Sequence, residues 1–274
     1  MIEPPSDTVL SALGANAVAS HPLRGMNGMA WVVTLQDGST GVATRTDPAV
    51  ADVARVAGER DVGPRVIGYR DGWLISRELP GEHVVGVAFG RPALIDAIVD
   101  LLSRWHDTEI ELNDASLSES LNAYVVRAHH HLNEQQLNAA DWALKTAAEL
   151  EAASEHTVPC HLDVGANLFD TEHGLRLIDF DHAAMATPAQ ELGQLIWEAE
   201  LSRTAAERLV SRYGETTGRD VAASATWSAV VGVSWAVWAV WAAEARTELR
   251  FALAARRWWE RLNGHWALPP GCAL

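Results

Sequence analysis

Lysine is almost missing from this chain: Lys145 is the only one in 274 residues. With 21 Lys and Arg against 36 Asp and Glu, the formal charge is −15. An acidic surface repels a phosphate backbone, which argues against nucleic acid as a partner and leaves cationic molecules favoured. Cysteine is scarce as well. Cys160 and Cys272 build no disulfide framework, and Met1-Ile2-Glu3-Pro4-Pro5 has no basic region followed by an apolar run, so neither export nor oxidative cross-linking is suggested and a cytoplasmic protein is expected. Long uncharged runs are absent except for residues 221–243. That stretch is diluted by Ala, Ser, Thr and Gly, and Trp235, Trp238 and Trp241 all fall in its second half instead of in belts at two interfaces; a buried helix is expected and no membrane partner. A hydrophobic content of 48% over this length buries a substantial core, in two lobes.

What is present is a pair of short motifs. His161-Leu162-Asp163-Val164-Gly165-Ala166-Asn167 is followed by Ile178-Asp179-Phe180-Asp181. Between them, residues 168–170 and 175–178 are short, mostly apolar runs flanking the turn-like Thr171-Glu172-His173-Gly174, which is a hairpin signature. Strands paired across that turn set Asn167 roughly opposite Asp179, with Asp163 one loop further back. Hard cations such as Mg²⁺ take carboxylate and amide oxygens together with phosphate oxygens, and in-line attack on a γ-phosphate needs a carboxylate for the incoming hydroxyl. The motifs supply both, which points to phosphoryl transfer.

The segment 161–198 resembles the catalytic loop and metal-binding segment of the aminoglycoside phosphotransferase and choline kinase superfamily, with bacterial thiamine kinase a near relative. The resemblance implies that Asp163 is the catalytic base, that His161 braces the loop, and that Asn167 and Asp179 hold Mg²⁺ across the phosphates of ATP. Pro188, Glu191 and Leu192 resemble the family's following "DPA-x-DLA" stretch, with Glu191 where an Asp is usual. Asn167 follows Asp163 one position sooner than in the family; Gly165 and Ala166 are small enough to absorb the difference.

The amino-terminal part reads as strands, helix, strands. Residues 29–35 and 41–46 flank Asp37-Gly38, residues 65–69 and 73–77 flank Asp71-Gly72, and residues 50–60 read as a helix opened by Asp47-Pro48. This resembles the small lobe of kinase-like folds. In that setting Gly25, Asn27 and Gly28 stand where the family has a nucleotide-covering turn, Arg45 where a basic residue grips the α and β phosphates, and Asp52 or Glu59 where its acidic partner lies. Glu78 and Leu79 resemble the adenine-binding hinge, and a lobe boundary is placed near Pro80.

The rest reads as helical. Residues 93–106 have helical spacing and end like the family's "L-x-x-L-H" helix, and residues 117–150 form one or two amphipathic helices. His129, His130 and His131 point about 100° apart on a helix and cannot share one ion. Of 12 tryptophans, seven follow Ser224. Trp235 and Trp238 are candidates to meet a cationic substrate through their ring faces, although core packing accounts for most such residues. Asp181 and Glu198 are further candidates for the substrate side.

The expectation is therefore an α+β, protein-kinase-like two-lobe fold: residues 1–80 a small antiparallel-sheet lobe with one helix, residues 81–274 a larger, mainly helical lobe. The expected activity is ATP- and Mg²⁺-dependent transfer to a hydroxyl of thiamine, choline, an amino sugar or an aminoglycoside. A nucleotide-binding protein without turnover is the alternative, and a metal-dependent phosphohydrolase built on His161, Asp163, Asp179, Asp181 and His182 a more distant one.

Overall fold

The computed structural model describes residues 4–23, 30–154 and 156–268. In chain order its helices are α1 (Asp7–Ala12), α2 (Pro48–Glu59), α3 (Pro92–His106), α4 (Leu117–Ala128), α5 (Glu134–Ala152), α6 (Val164–Asn167), α7 (Pro188–Glu198), α8 (Arg203–Thr217), α9 (Ser224–Arg246) and α10 (Leu249–Asn263). The strands are β1 (Ala15–Leu23), β2 (Ala30–Leu35), β3 (Thr40–Arg45), β4 (Val66–Arg70), β5 (Trp73–Arg77), β6 (Gly81–His83), β7 (Val158–Cys160), β8 (Leu168–Thr171), β9 (Gly174–Leu177) and β10 (Ala184–Ala186).

The chain divides into two compact units, and not by a single cut. The first comprises Met1–Val84, Asp100–Ile110 and Asn167–Ala183; the second comprises Val85–Val99, Glu111–Ala166 and Ala184–Leu274. The first stretch of the first unit ends at Val84, and two later segments return to it. Strand pairing explains one return: Gly81, Glu82 and His83 of β6 pair with Thr171, Asp170 and Phe169 of β8, so the β8–β9 hairpin joins the sheet that begins directly after Pro80.

In the first unit an antiparallel sheet runs in the order β1-β2-β3-β5-β4. Its tight turns follow the local chemistry. Asp71 and Gly72 both take left-handed backbone (φ 51° and 79°), as a type I′ hairpin requires. At the β2–β3 turn the Ser39 hydroxyl, the Arg77 guanidinium and the Ser39 N–H hold the Asp37 carboxyl well below the usual carboxylate range. One sheet face, with Val33, Leu35, Ala43, Trp73 and Ile75, packs on Val9 and Leu10 of α1 and on Leu13 just after it. Alternation along β3 puts Gly41, Ala43 and Arg45 on one face and Val42 and Thr44 on the other.

The second unit is built around α9, which packs on α4, α5, α7 and α10. It is the one helix among the described residues that is long and apolar enough to cross a bilayer, yet 67% of its most apolar window is buried inside the protein. Apolar residues all round suit a core helix. Residues 117–150 resolve into two helices, α4 and α5, broken by a 3₁₀ turn at His129–His131 whose three imidazoles are exposed. Asn133 then restarts the helix through a reciprocal capping box with Gln136.

Helices α7 and α9 approach closely where Gly193 faces Trp227. A Cβ at Gly193 would lie 2.4 Å from Trp227 Cβ and 2.8 Å from the Ser224 carbonyl oxygen. Gly193→Ala is expected to destabilise the protein by about 1–3 kcal/mol through overpacking. A denaturant titration should show the midpoint falling at constant slope.

Candidate active site

Strand β7 pairs antiparallel with β10, Val158 opposite Ala186 and Cys160 opposite Ala184. One strand of this ladder runs into the loop that begins at His161. The other runs into α7, whose amino terminus is capped by the Thr187 hydroxyl. The two-stranded ladder therefore lays the loop along the helix.

Three polar side chains of α7 hold that loop. Glu191 and Gln194 are buried in a helix whose other residues from Pro188 to Trp197 are small or apolar except Gln190. Glu191 Oε1 accepts the backbone N–H of His161 at 2.5 Å and of Leu162 at 2.9 Å. Gln194 Nε2 donates to the Leu162 carbonyl and, at 2.7 Å, to Glu198 Oε1. Glu198 Oε2 accepts the Gly165 N–H at 2.9 Å. Positions i, i+3 and i+7 share one helix face, so one stripe serves the whole loop.

The loop needs such support because Leu162 takes left-handed backbone, φ 57°. For a residue other than glycine that conformation costs roughly 1–2 kcal/mol. Both backbone groups of Leu162 are tied to α7, which keeps it there. The Asp163 N–H donates to His161 Nδ1 at 3.2 Å, so the buried imidazole braces the loop from within and, when neutral, carries its proton on Nε2. Asp163 itself is half-buried. Cys160, just before the loop, is no nucleophile: burial lifts its thiol well above the usual range, with Glu191 adding to the rise, and its Sγ lies 3.6 Å from the Ala186 carbonyl oxygen.

The first unit carries the second motif. The β8–β9 ladder pairs Leu168 with Leu177, and the next rung is closed by Ile178 N–H donating to the Asn167 carbonyl at 3.0 Å. Asp179 follows in left-handed backbone (φ 61°, ψ 73°), and Phe180 is buried edge-on to Trp105, ring centroids 5.4 Å apart. The Asp179 carboxyl is raised above its ordinary range by desolvation and by the charge of Asp181, with His182 opposing. An amide and two crowded carboxylates on one hairpin are the oxygen donors a hard divalent cation takes, and its charge would relieve that crowding. Asn167, Asp179 and Asp181 therefore fit Mg²⁺.

Residues 23–225 match the model of the phosphotransferase enzyme family. The chain belongs to that family. Membership makes it a phosphotransferase with an alcohol group as acceptor. Among solved structures, the choline kinase LicA from Streptococcus pneumoniae aligns at a TM-score of 0.72 with 15% identity, over 94% of this chain and 97% of its own; LicA has also been solved in complex with AMP. A choline/ethanolamine kinase family protein from Mesorhizobium loti aligns at 0.75 with 19% identity, over 92% and 88% of the two chains. An aminoglycoside phosphotransferase from Alicyclobacillus acidocaldarius aligns at 0.64 with 15% identity, over 97% and 94%. At these identities the likeness is one of fold, and it bears out the kinase-like α+β architecture. No curated protein matches the sequence.

The remaining expected residues of this phosphotransferase are placed as follows. Arg45 lies on the face of β3 that carries Ala43, its guanidinium 5.6 Å from the Trp73 ring centre and donating to the Asp71 carbonyl at 3.0 Å. The opposite face looks toward the turn at Asp179–Asp181, since the Thr46 hydroxyl reaches Asp181 Oδ1 at 3.4 Å. Nor does α2 supply Arg45 with an acid: Asp52 and Glu59 pair with Arg55, at 3.8 and 2.8 Å. Arg45, expected to grip phosphate, thus reaches the β4–β5 turn with its exposed side chain. Arg45→Ala is expected to change the KM for Mg-nucleotide by less than about threefold, the size of a lost exposed contact; steady-state kinetics over a nucleotide series checks this.

Glu78 is exposed and its N–H donates to the Thr40 carbonyl at 3.1 Å, while Leu79 is half-buried in the link from β5 to β6. Gly25, Asn27 and Gly28 lie outside the described residues. Trp235 and Trp238 are half-buried and meet edge to face at 5.5 Å, in a cluster completed by Trp258 and Phe251 of α10. Arg246 and Arg250 already stand over the Phe251 ring, at 5.2 and 4.8 Å. Two resident guanidinium groups make this cluster an unwelcoming place for a further cation. Glu198, expected on the substrate side, is committed to Gln194 and Gly165. The stripe Glu191, Gln194, Glu198 was visible in the sequence as polar residues at helical spacing in an apolar helix, and Gln194 drew no attention there.

Proposed function

We propose that the protein is an ATP- and Mg²⁺-dependent kinase that phosphorylates a hydroxyl of a small cationic or amine-bearing molecule. The observation that carries it is the loop 161–165: strained backbone at Leu162, fixed by three α7 side chains, with Asp163 left half-buried at its centre. Strain held this firmly serves to place one carboxylate, because positioning and preorganised electrostatics supply nearly all the catalysis in phosphoryl transfer.

Asp163 orients the acceptor hydroxyl and takes its proton as the oxygen bonds to the γ-phosphorus; the bond to the β–γ bridging oxygen breaks and ADP leaves. Asn167 and Asp179 are the residues to hold Mg²⁺, with Asp181 beside them. The ion, when bound, neutralises phosphate charge. Leu79 and Glu78 present backbone groups to adenine. A net charge of −15 steers a cationic acceptor inward, as the choline, ethanolamine and aminoglycoside kinases among the structural neighbours lead one to expect.

The test is Mg²⁺-dependent release of ADP from ATP, with choline, ethanolamine, thiamine, amino sugars and aminoglycosides as acceptors and uncharged polyols as controls. Stimulation by a cationic alcohol alone is the expected result. Absence of ATP binding would remove the proposal. ATP binding without stimulation by any acceptor would support the second reading, a nucleotide-binding protein without turnover, which the outward placement of Arg45 favours.

A further inference from the structure

Two residues of the first unit, from separate elements, meet the ring of Phe180, which directly follows Asp179. Trp105, near the end of α3, is fully buried and stands edge-on to that ring, centroids 5.4 Å apart. Gly63, in the loop after α2, approaches it as well: a Cβ there would lie 3.1 Å from Phe180 Cε2 and 3.3 Å from the Leu177 carbonyl oxygen. We propose that Trp105 is a positioning residue for the metal, which together with Gly63 seats the Phe180 ring and so holds the Asp179 backbone where its carboxyl can meet Mg²⁺. The role rests on the kinase reading above, which gives Asp179 to the metal.

Asp179 takes left-handed backbone, φ 61° and ψ 73°, without being a glycine. Such a conformation persists where the surroundings fix it. A buried ring at the next position does so, because seating Phe180 restrains the peptide that joins it to Asp179. The loop that carries Gly63 is itself tied down. Val62 and Gly63 both donate their N–H to the Ala57 carbonyl, at 2.9 and 3.0 Å, and the Val62 carbonyl accepts the Leu177 N–H at 2.8 Å. Beside them the Asp61 carboxylate accepts Arg176 Nη2 at 2.6 Å, so the loop is fastened to β9 directly before the turn.

Trp105 supplies shape and not a hydrogen bond. Its buried Nε1 has no hydrogen-bond partner among the described residues. A buried N–H left unpaired opposes folding. What the indole offers in return is its bulk and the edge it presents to Phe180, a contact that aromatic pairs favour and that a smaller aliphatic side chain does not make.

The experiment measures binding of a non-hydrolysable ATP analogue by calorimetry, with Mg²⁺ and with EDTA, and hydrogen exchange in the nucleotide-free protein. Trp105→Leu is expected to raise the Kd for the Mg²⁺ complex by about tenfold, the upper range for a lost aromatic pair, and to leave the Kd in EDTA within about twofold. Trp105→Phe discards the N–H but keeps a ring for Phe180, and should hold both values within about twofold of wild type. Phe180→Leu should match Trp105→Leu, and because one residue acts through the other the double variant should be no weaker than either. Gly63→Ala, which crowds the ring from the α2 side, should weaken the Mg²⁺ complex too. The Ala183 N–H donates to the Phe180 carbonyl at 3.0 Å, and its exchange should quicken by about tenfold in Trp105→Leu and not in Trp105→Phe, while amides of the β2–β3 ladder keep their protection. A Trp105→Phe variant as weak as Trp105→Leu, losses that add in the double variant, an equal loss in Mg²⁺ and EDTA, or faster exchange shared by the β2–β3 ladder would overturn the proposal. The exchange arm needs no ligand: a wild type whose affinity for the analogue ignores Mg²⁺ would defeat the kinase reading, while the Ala183 amide would still decide whether Trp105 seats the turn.

Discussion

Asp163→Ala is expected to lower turnover by about 10²–10⁴-fold, the range for loss of a positioned base, while the Kd for Mg-nucleotide moves by less than about threefold. The separation follows from where the residue sits. Asp163 belongs to a loop of the second unit, tied to α7 by side chains that remain in the variant. The oxygen donors for a metal, Asn167, Asp179 and Asp181, are carried by the β8–β9 hairpin of the first unit. Asp179→Ala should give the converse pattern, weakening Mg-nucleotide binding itself. Turnover measured beside calorimetric nucleotide titration distinguishes the two. If Asp163→Ala kept wild-type turnover, Asp163 would not be the base; if it lost nucleotide binding instead, the residue would belong to the donor side.

What the sequence made legible here is what local chemistry decides. Asp37-Gly38 and Asp71-Gly72 announce tight hairpins because their conformations demand those residues, and Asp47-Pro48 announces the start of α2. The family was readable from residues 161–198 because phosphoryl transfer restricts which residue types stand at which spacing. What stayed hidden depends on partners distant in the chain. Arg45 stands on the strand expected of it, but strand parity sends it toward Trp73 and not toward the turn at Asp179–Asp181. A one-residue difference in register changes the face, and composition alone does not reveal it. Glu198 was marked for the substrate side, while its contacts to Gly165 and Gln194 were not readable, because only packing reveals which loop lies along a helix face. The same holds for the return of residues 167–183 to the first unit, which is set by β6–β8 pairing across a long stretch of chain.

Replacing Glu191 should have the largest effect on the protein as a whole. Its side chain is fully buried, and its Oε1 is the acceptor for two successive backbone N–H groups. Glu191→Leu would preserve much of the volume and leave both donors without that acceptor in a dry interior, at a cost on the order of 1–3 kcal/mol for each. The surroundings are built for the carboxylate: Cys160 and Tyr213 both feel its charge, Tyr213 is pushed up to about 12 chiefly by burial, and Arg219 reaches the Tyr213 hydroxyl at 3.3 Å. Leu162 would lose one of the two ties that keep it in left-handed backbone, so the strained loop would relax and Asp163 with it. A displacement of about 1 Å at a reacting group is enough to cost roughly 10²-fold in rate. The expected result is a lower denaturation midpoint together with a fall in kcat that persists at temperatures where the variant remains folded. Glu191→Asp keeps the charge but shortens the reach by one methylene, and should recover most of the stability with less of the turnover. Equal recovery of both would mean that the loop tolerates a retracted support, and that the strain at Leu162 is not what places the base.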